Sequence, residues 1–259
     1  MDNLIKYLVQ CFKPIDDTEF IMLDSFDINI FNRMKQDAII ILKNAEIIDS
    51  KIDQVTVGNY KIIRKNFPKQ IEWLEDDGSF NFIQNREPLY RRIIPPPCET
   101  VNHIFIISSI IIESGGFDKT YLEYGVRNGD SIEHVANFTK KLYGVDMCPY
   151  TPKDKKIVMS CCTTDEFSYN KLPYINFDFC FIDADHSSTQ VVIDFENVYK
   201  YINKGGYIFL HDTYPCNREL LNPEYCNDCY LSPLIIKNRY PNIEMITFPL
   251  NPGLTIIRK

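Results

Sequence analysis

Long apolar runs and clusters of basic residues are absent from this sequence of 259 residues. The longest apolar stretch, Ile104 to Ile112, is interrupted by Ser108 and Ser109 and is about half of the ~20 residues that a membrane-spanning helix needs. It predicts a buried helix and no membrane partner. No run of Lys or Arg could follow a phosphate backbone, and the net charge is -7, so we expect no nucleic-acid partner.

A disulfide framework is also not indicated. The nine cysteines are odd in number, two of them are adjacent at Cys161 and Cys162, and no signal peptide is recognisable, so we expect reduced thiols and a cytoplasmic protein. Hydrophobic residues at 45% and charged residues at 24% are typical of a folded globular chain and exclude a disordered one.

Glycine is scarce in the first part of the chain, since eight of the ten glycines lie at or after Gly115. This uneven distribution predicts two architectures. The prolines at 95–97 can continue neither a helix nor a ladder and are therefore placed in a linker. We divide the chain into an α+β N-terminal region, residues 1–100, and a second domain, residues 101–259. The first region is left with two candidate roles, substrate contacts or contacts between copies in a homo-oligomer.

Three elements are predicted in the N-terminal region. Glu19 to Leu23 is typical of a short strand, and Ile30 to Leu42 has the apolar spacing of a helix. Val55 to Ile63 alternates around Gly58 and Asn59, which predicts a β-hairpin.

From Lys119 onward, short apolar runs that resemble buried strands alternate with segments whose apolar residues have helical spacing. This alternation predicts an α/β fold, a Rossmann-like, doubly wound and mostly parallel sheet with a C-terminal antiparallel hairpin. The predicted strands are Thr120 to Tyr124, Leu142 to Asp146, Lys156 to Ser160, Phe177 to Asp183, Tyr207 to Leu210, Ile243 to Phe248 and Leu254 to Arg258. The predicted helices are Ser131 to Lys141 and Gln190 to Ile202.

The first strand-to-helix turn of the predicted sheet contains Gly125 and Gly129. In a doubly wound sheet this turn is the usual cradle of a ligand, because the backbone can approach closely and its N–H groups can hold a carboxylate or a phosphate. A dinucleotide site would require three glycines, and a pyrophosphate would be repelled by Glu123. An acid at this position favours a zwitterionic, methionine-type cofactor. Asp146, at the end of the next strand, is placed to accept hydrogen bonds from two ribose hydroxyls.

Four segments carry a resemblance to a known family. They are Tyr121 to Ser131, Gly144 to Asp146, Phe177 to His186 and Gly205 to Asp212. In this order they resemble the class I S-adenosylmethionine-dependent methyltransferases, in particular the small-molecule and sugar O-methyltransferase branch that includes macrocin O-methyltransferase-like and cephalosporin hydroxylase-like proteins. The likeness covers residues 119–259.

The resemblance implies a set of cofactor contacts. Glu123, Gly125 and Gly129 would lie against the methionine part and Asp146 against the ribose. Cys162 and Thr163 fall where the family contacts adenine, although members commonly have Gly-Asp-Ser there. The full set is Glu123, Gly125, Arg127, Asn128, Gly129, Ser131, Asp146, Met147, Cys162, Thr163 and Asp183.

Candidate catalytic residues follow two predicted strands that are neighbours in the family. Asp183, Asp185 and His186 follow one of them, and His211 and Asp212 follow the other. Methyl transfer from a sulfonium requires the acceptor oxygen in line with the methyl group and relieved of its proton. The segment from Tyr214 to Ser232 is predicted to lie over the acceptor.

Two mechanisms fit these residues. Asp183, His211 and Asp212 could ligate Mg²⁺, which would lower the pKa of the acceptor hydroxyl, although imidazole suits Mg²⁺ poorly. Alternatively, His211 or His186 is the general base, and we favour this second mechanism.

The sequence therefore predicts an O-methyltransferase whose acceptor is a hydroxylated small molecule, with a sugar or nucleotide-sugar as the first expectation. A catalytically silent S-adenosylmethionine-binding or scaffold protein is the alternative, and an NAD-dependent oxidoreductase is a weaker one because the third glycine is missing.

Overall fold

The computed structural model describes residues 20–23, 39–43, 53–57, 60–64, 99–173, 175–215, 218–248 and 252–259. Eleven strands in this part of the chain form one sheet in the order β1-β2-β4-β3-β10-β11-β9-β8-β5-β6-β7. The strands are β1 Phe20–Leu23, β2 Ile39–Lys43, β3 Asp53–Val57, β4 Tyr60–Arg64, β5 Thr120–Tyr124, β6 Lys141–Asp146, β7 Ile157–Cys161, β8 Phe177–Ile182, β9 Ile202–His211, β10 Glu244–Phe248 and β11 Leu254–Arg258.

Helices cover both faces of the parallel part of the sheet, which runs from β7 to β9. They are α1 Glu99–Glu113, α2 Asp130–Val135, α3 Ser188–Tyr199 and α4 Ser232–Arg239. On one face, Ile106 and Ile110 of α1 pack in a cluster with Tyr121 of β5. On the other face, Phe195 of α3 packs in a cluster with Ile208 of β9. The α/β prediction and the C-terminal antiparallel hairpin, β10 with β11, agree with this arrangement. No helix within the described ranges has the length and apolar character needed to cross a bilayer.

The order in which the chain adds parallel strands to the sheet reverses at β5. The chain leaves β5 towards β6 and β7 on one side and later returns to β8 and β9 on the other. Such a switch point opens a crevice beyond the carboxyl ends of the strands, where ligands bind in open α/β sheets. The fold therefore places its natural ligand crevice at the residues that follow β5 and β8.

The predicted helix from Ile30 to Leu42 is wrong in its described part. Residues 39–43 form β2, which pairs in parallel with β1 and in antiparallel with β4. Ile40, Ile41 and Leu42 are all buried, and a short continuous apolar run fits a strand covered on both faces as well as it fits a helix. Residues 30–38 lie outside the described part of the chain.

Other predicted elements differ mainly at their ends. The helix predicted from Ser131 to Lys141 is an α-helix only to Val135 and continues as a 3₁₀ turn at Ala136–Phe138. Lys140 N then donates to Lys119 O at 2.9 Å, and the chain enters β6 at Lys141. The second helix ends before Ile202, where β9 begins. The N-terminal hairpin is confirmed as β3 and β4, although its turn at 58–59 is not described. The linker at 95–97 is not described either, and the division of the chain at residue 100 stays a prediction.

The N-terminal strands join the C-terminal hairpin through a small polar junction. Gln54 of β3 is in register with Met245 of β10. Glu244 accepts hydrogen bonds from Thr56 N at 3.1 Å and from Thr56 Oγ1 at 3.3 Å. Tyr207 Oη donates to Thr56 O at 2.6 Å. Side-chain hydrogen bonds therefore supplement a short backbone ladder at this junction.

We predict that Glu244→Ala lowers the free energy of unfolding by about 1–3 kcal/mol, because the Thr56 N–H and hydroxyl lose their carboxylate partner in a half-buried setting. Chemical denaturation measures the change. Glu196→Ala is the control, since Glu196 pairs with Arg239 on an exposed helix surface. A loss no larger than that of the control would contradict the role of the junction.

Candidate functional site

Strand register brings four predicted site residues into one row. Tyr124 of β5 is in register with Val145 of β6 and with Ile182 of β8, and Ile182 is in register with Leu210 of β9. The next residues along these four strands are Gly125, Asp146, Asp183 and His211. The row crosses the carboxyl ends of the parallel strands at the switch point.

A cavity of about 780 Å³ opens above this row. Its size lies within the roughly 300–1,000 Å³ typical of small-molecule sites. Apart from Glu123 and Gly129, every predicted cofactor, catalytic and metal residue lines the cavity. The wall also contains residues that sequence reasoning did not single out, namely Val126, Asp130, Val145, Thr164, Asp165, Phe181, Ala184, Gln190 and Pro252. Four residues of the segment from Tyr214 to Ser232, which was predicted to lie over the acceptor, line the cavity as well: Leu220, Glu224, Tyr225 and Cys226.

A positive φ and a close neighbour explain both glycines of the loop after β5. Gly125 has φ 84°, and a Cβ there would overlap the backbone carbonyl of Asp183. Gly129 has φ 82°, and a Cβ there would overlap the ring of Tyr150. At both positions φ is positive and a Cβ atom would clash with a neighbour, so glycine is the residue that fits. Gly125 therefore allows the loop to lie directly against the end of β8, while Gly129 is the residue immediately before α2.

Glu123 lies beneath the loop and is fully buried. Its carboxyl accepts hydrogen bonds from Tyr121 Oη at 2.7 Å and from Ser131 Oγ. Burial raises the pKa of Glu123 to about 8, although these two hydrogen bonds oppose the rise. The residue anchors the start of α2 to the end of β5, and contact with a cofactor stays a prediction.

Asp146 holds the shape of the loop through its carboxylate. Oδ2 accepts a hydrogen bond from Arg127 N at 2.7 Å, and Oδ1 accepts one from Cys148 N at 2.7 Å. Arg127 has φ 49°, a conformation that is uncommon outside glycine. The carboxylate therefore fixes two backbone segments at the edge of the cavity.

The predicted adenine end of the cavity is built from the residues after β6 and β7. Met147 is 72% exposed beside Asp146, and Cys162 N donates to Asp146 O at 3.0 Å. Gln190 of α3, missed by sequence reasoning, donates from Nε2 to Thr164 Oγ1 at 3.3 Å and to Asp165 Oδ1 at 3.1 Å. No local pattern marks Gln190, because its position depends on how α3 packs.

At the other end of the cavity, His211 lies between two carboxylates. Its Nδ1 is 3.1 Å from Asp183 Oδ1 and 3.2 Å from Asp212 Oδ1. Its side chain is 10% exposed, and neither ring nitrogen has a hydrogen bond of acceptable geometry within the described part of the chain. Although burial opposes the change, the two carboxylates raise the pKa of His211 well above its usual range.

His186 contacts the same two carboxylates from the opposite side. Its Nε2 is 3.2 Å from Asp212 Oδ2 and 3.6 Å from Asp183 Oδ1, while its Nδ1 bonds to Tyr225 O. The nearby Asp183 carboxylate is the main reason why the pKa of His186 is raised to about 9, with Asp212 adding to the effect and burial opposing it. Although burial acts in the other direction, His211 and His186 hold the pKa of Asp183 well below its usual range. Asp212 has φ 58°, a strained conformation of the kind found at functional sites.

Three side chains at this end of the cavity could together bind a metal ion. Asp183, His186 and Asp212 each offer one ligand atom, and these atoms lie within 4.8 Å of one another. His186 thus takes the place that we predicted for His211. Mg²⁺ prefers an octahedron of oxygen atoms, whereas this set includes imidazole nitrogen. The residues fit Mg²⁺ poorly, and no step of the reaction is assigned to it.

His103 of α1 is a further residue that the sequence did not reveal. It is buried, and its ring meets the His211 ring edge-on, with 4.8 Å between the centroids. The Phe181 ring also meets His211 edge-on at 5.8 Å. These two contacts limit the rotation of the His211 ring. A lone histidine within an apolar helix gives no local signal of such a contact.

The strands that form the cavity are similar in sequence to a known protein family. Residues 122–213 match the model of a methyltransferase domain family. The match covers β5 to β9 and therefore the whole row of strand ends. It supports a methyltransferase domain over these residues.

One curated relative is an uncharacterized protein of Acanthamoeba polyphaga mimivirus, which is 27% identical over 129 residues. The match covers 42% of this chain and 58% of that protein's length. Among solved structures, the N-methyltransferase NodS from Bradyrhizobium japonicum WM9 is 17% identical with a TM-score of 0.44, covering 63% of this chain and 96% of that chain. The S-adenosylhomocysteine-bound methyltransferase PaMTH1 of Podospora anserina is 14% identical with a TM-score of 0.44, covering 74% and 96%. These likenesses say nothing of the substrate.

The buried carboxyl of Glu123 predicts a pH effect on stability. Its pKa is raised from 4.5 to about 8 in the folded protein, so the folded chain keeps the proton that the unfolded chain loses. This contribution to stability is complete below pH 4.5 and is lost as the pH rises through about 8. Relative to the native protein, Glu123→Gln should therefore gain up to about 5 kcal/mol between these limits, at 1.36 kcal/mol per pH unit.

Denaturant unfolding at a series of pH values measures this difference, with Glu196→Gln, a partly exposed carboxylate of α3, as the control. A difference between Glu123→Gln and the native protein that does not change with pH would show that Glu123 is ionised in the fold.

Proposed function

We propose that this protein transfers the methyl group of S-adenosylmethionine to a hydroxyl of a small, sugar-like molecule. The observation that carries the proposal is the row of strand ends, which joins a glycine loop, a ribose-type carboxylate and a histidine with two carboxylates in one cavity. The methyltransferase-domain match over the same strands supports it.

The cofactor has one orientation that suits the residues. Its methionine part would lie against Gly125, where the backbone is open to close approach. Its ribose would lie at Asp146, whose oxygen atoms already accept hydrogen bonds and have lone pairs left for two hydroxyls. Its adenine would lie near Cys162 and Thr163 with Met147 beside it. When bound, the sulfonium supplies an activated methyl group.

His211 is the better candidate for the general base. Both ring nitrogens of His186 are engaged, Nδ1 with Tyr225 O and Nε2 with the carboxylates. In His211 the carboxylates lie at Nδ1, and Nε2 has no hydrogen-bond partner among the described residues but is buried. The acceptor hydroxyl must therefore displace part of the wall to reach Nε2, and because the pKa of His211 is raised, the ring acts as a base only in its deprotonated form, which higher pH favours. The base accepts the hydroxyl proton while the oxygen attacks the methyl carbon. Asp183 and Asp212 orient the ring and stabilise the imidazolium that forms.

Cofactor binding is tested by thermal and chemical unfolding with S-adenosylhomocysteine, S-adenosylmethionine or NAD. At about 100 times its Kd, either sulfur ligand should stabilise the fold by about 2.7 kcal/mol, and NAD should not. Asp146→Ala should abolish most of this effect, whereas Asp118→Asn, an exposed acid outside the cavity, should retain it. An undiminished shift in Asp146→Ala would contradict the assigned cofactor site.

The role of His211 is tested by methyl transfer with and without a chelator. We expect His211→Gln to lower kcat by about 10²- to 10⁴-fold, the usual contribution of a general base. His134→Gln, whose ring packs against Phe105 and Phe138, is the matched control and should retain activity. A chelator should change the native rate little. Complete loss of activity in the chelator, restored by Mg²⁺, would refute the metal-free mechanism.

A further inference from the structure

The two residues that the sequence placed against adenine offer it few hydrogen-bond acceptors. Thr163 N donates to Glu166 Oε2 at 3.1 Å, and Thr163 Oγ1 accepts from Glu166 N at 3.3 Å, so both groups already belong to a local turn. Cys162 offers a thiol, and sulfur is a weak acceptor. The 6-amino group of adenine is a hydrogen-bond donor, and a donor left unpaired in a partly closed site is costly. A stronger acceptor must therefore come from another element.

Gln190 of α3 reaches this end of the cavity with an amide of defined orientation. Its Nε2 donates to Thr164 Oγ1 at 3.3 Å, to Asp165 Oδ1 at 3.1 Å and to Asp194 Oδ1 at 3.0 Å. Two of these three partners are carboxylate oxygens, which accept hydrogen bonds and cannot donate them when ionised. The nitrogen of the amide, and not its oxygen, therefore faces the carboxylates.

The buried carboxylate of Asp194 keeps the amide in this orientation. Asp194 is 1% exposed and lies one helical turn beyond Gln190 on α3. Burial raises the pKa of Asp194 to about 6, although hydrogen bonds from Thr164 and Gln190 oppose the rise, so the carboxylate is ionised at pH 8. If the amide turned over, its oxygen would face two carboxylates and its N–H groups would lose their acceptors. Such a loss beside a buried charge is costly, and one orientation is therefore favoured.

The oxygen of the same amide is left available to a ligand. Gln190 lines the cavity together with residues 162–165. Among the residues that the structure describes, none donates a hydrogen bond to Gln190 Oε1, and this atom is not fully buried. A carbonyl oxygen has two lone pairs and accepts hydrogen bonds well. The wall at the adenine end therefore presents an oriented acceptor.

We propose that Gln190 selects adenine by accepting a hydrogen bond from its 6-amino group at Oε1. The inference rests on the proposed function and adds a specificity-determining residue for the cofactor. Hypoxanthine has an oxygen in place of the 6-amino group and would bring two acceptors together. Because the amide is held by two carboxylates, it cannot adapt by presenting its N–H groups. A site built to bond one group of a ligand rejects an analogue without that group.

Two ligands with different bases test the proposal. S-adenosylhomocysteine and S-inosylhomocysteine, which differ at the 6-position and in the neighbouring N1 proton, are titrated calorimetrically into the native protein at pH 8. We expect S-adenosylhomocysteine to bind about five- to fiftyfold more tightly, since the analogue leaves the half-buried Gln190 Oε1 opposite another oxygen.

A variant pair assigns the discrimination to Gln190. Gln190→Met has a side chain of similar length without a carbonyl, and it should bring the two affinities to within about twofold of each other. Thr189→Ala, at an exposed neighbouring position of α3 outside the cavity, should keep the native ratio. If Gln190→Met does not fold because Asp194 is left unpaired, Gln190→Met/Asp194→Asn replaces it, since an amide at this position carries no charge.

The ratio of the two affinities decides the outcome. Equal affinity of the native protein for the two ligands would overturn the proposal. A native ratio retained in the folded Gln190→Met variant would also overturn it and would assign the base to another acceptor, such as Asp165. Failure of S-adenosylhomocysteine to bind the native protein at all would refute the proposed function itself.

Discussion

The register of four parallel strands is the constraint on which the site depends. Because Tyr124, Val145, Ile182 and Leu210 are paired across the sheet, the residues that follow them meet in one row above it. A slip of one residue in any of these strands would turn its side chains to the opposite face. The apolar runs of β5, β6, β8 and β9 are buried by helices on both sides, and burial fixes this register. Packing of the hydrophobic core therefore positions the site residues at the strand ends, although these residues are not part of the core.

Charges at the end of that row must compensate one another. His211 is nine-tenths buried, and a charged or hydrogen-bonding group in such a place is costly unless a partner is present. Asp183 and Asp212 supply that partner, and His186 completes the group from the solvent side. The edge contacts from His103 and Phe181 leave the His211 ring little freedom. The result is a rigid polar cluster beside a glycine loop, and a ligand can approach the backbone of this loop closely.

Much of the site could be predicted from the sequence because its residues stand directly after strands. Strand ends are local features, and parallel strands bring their carboxyl ends to one edge whatever their order. His103 and Gln190 could not be predicted in this way, since helix packing alone places them against His211 and the 164–165 segment. The strand at Ile39–Lys43 was mistaken for a helix because its apolar run fits both periodicities. The segment is a strand because it pairs with β1 and β4, and this pairing cannot be read from the sequence.

Methyl transfer at the row of strand ends is the central claim, and a crystal structure with S-adenosylhomocysteine tests it most directly. The account predicts that both ribose hydroxyls bond to the Asp146 carboxylate, that the amino-acid part lies on Gly125, and that sulfur faces His211. A ligand bound elsewhere, or bound in the cavity with its ribose away from Asp146 and its sulfur away from His211, would contradict the account.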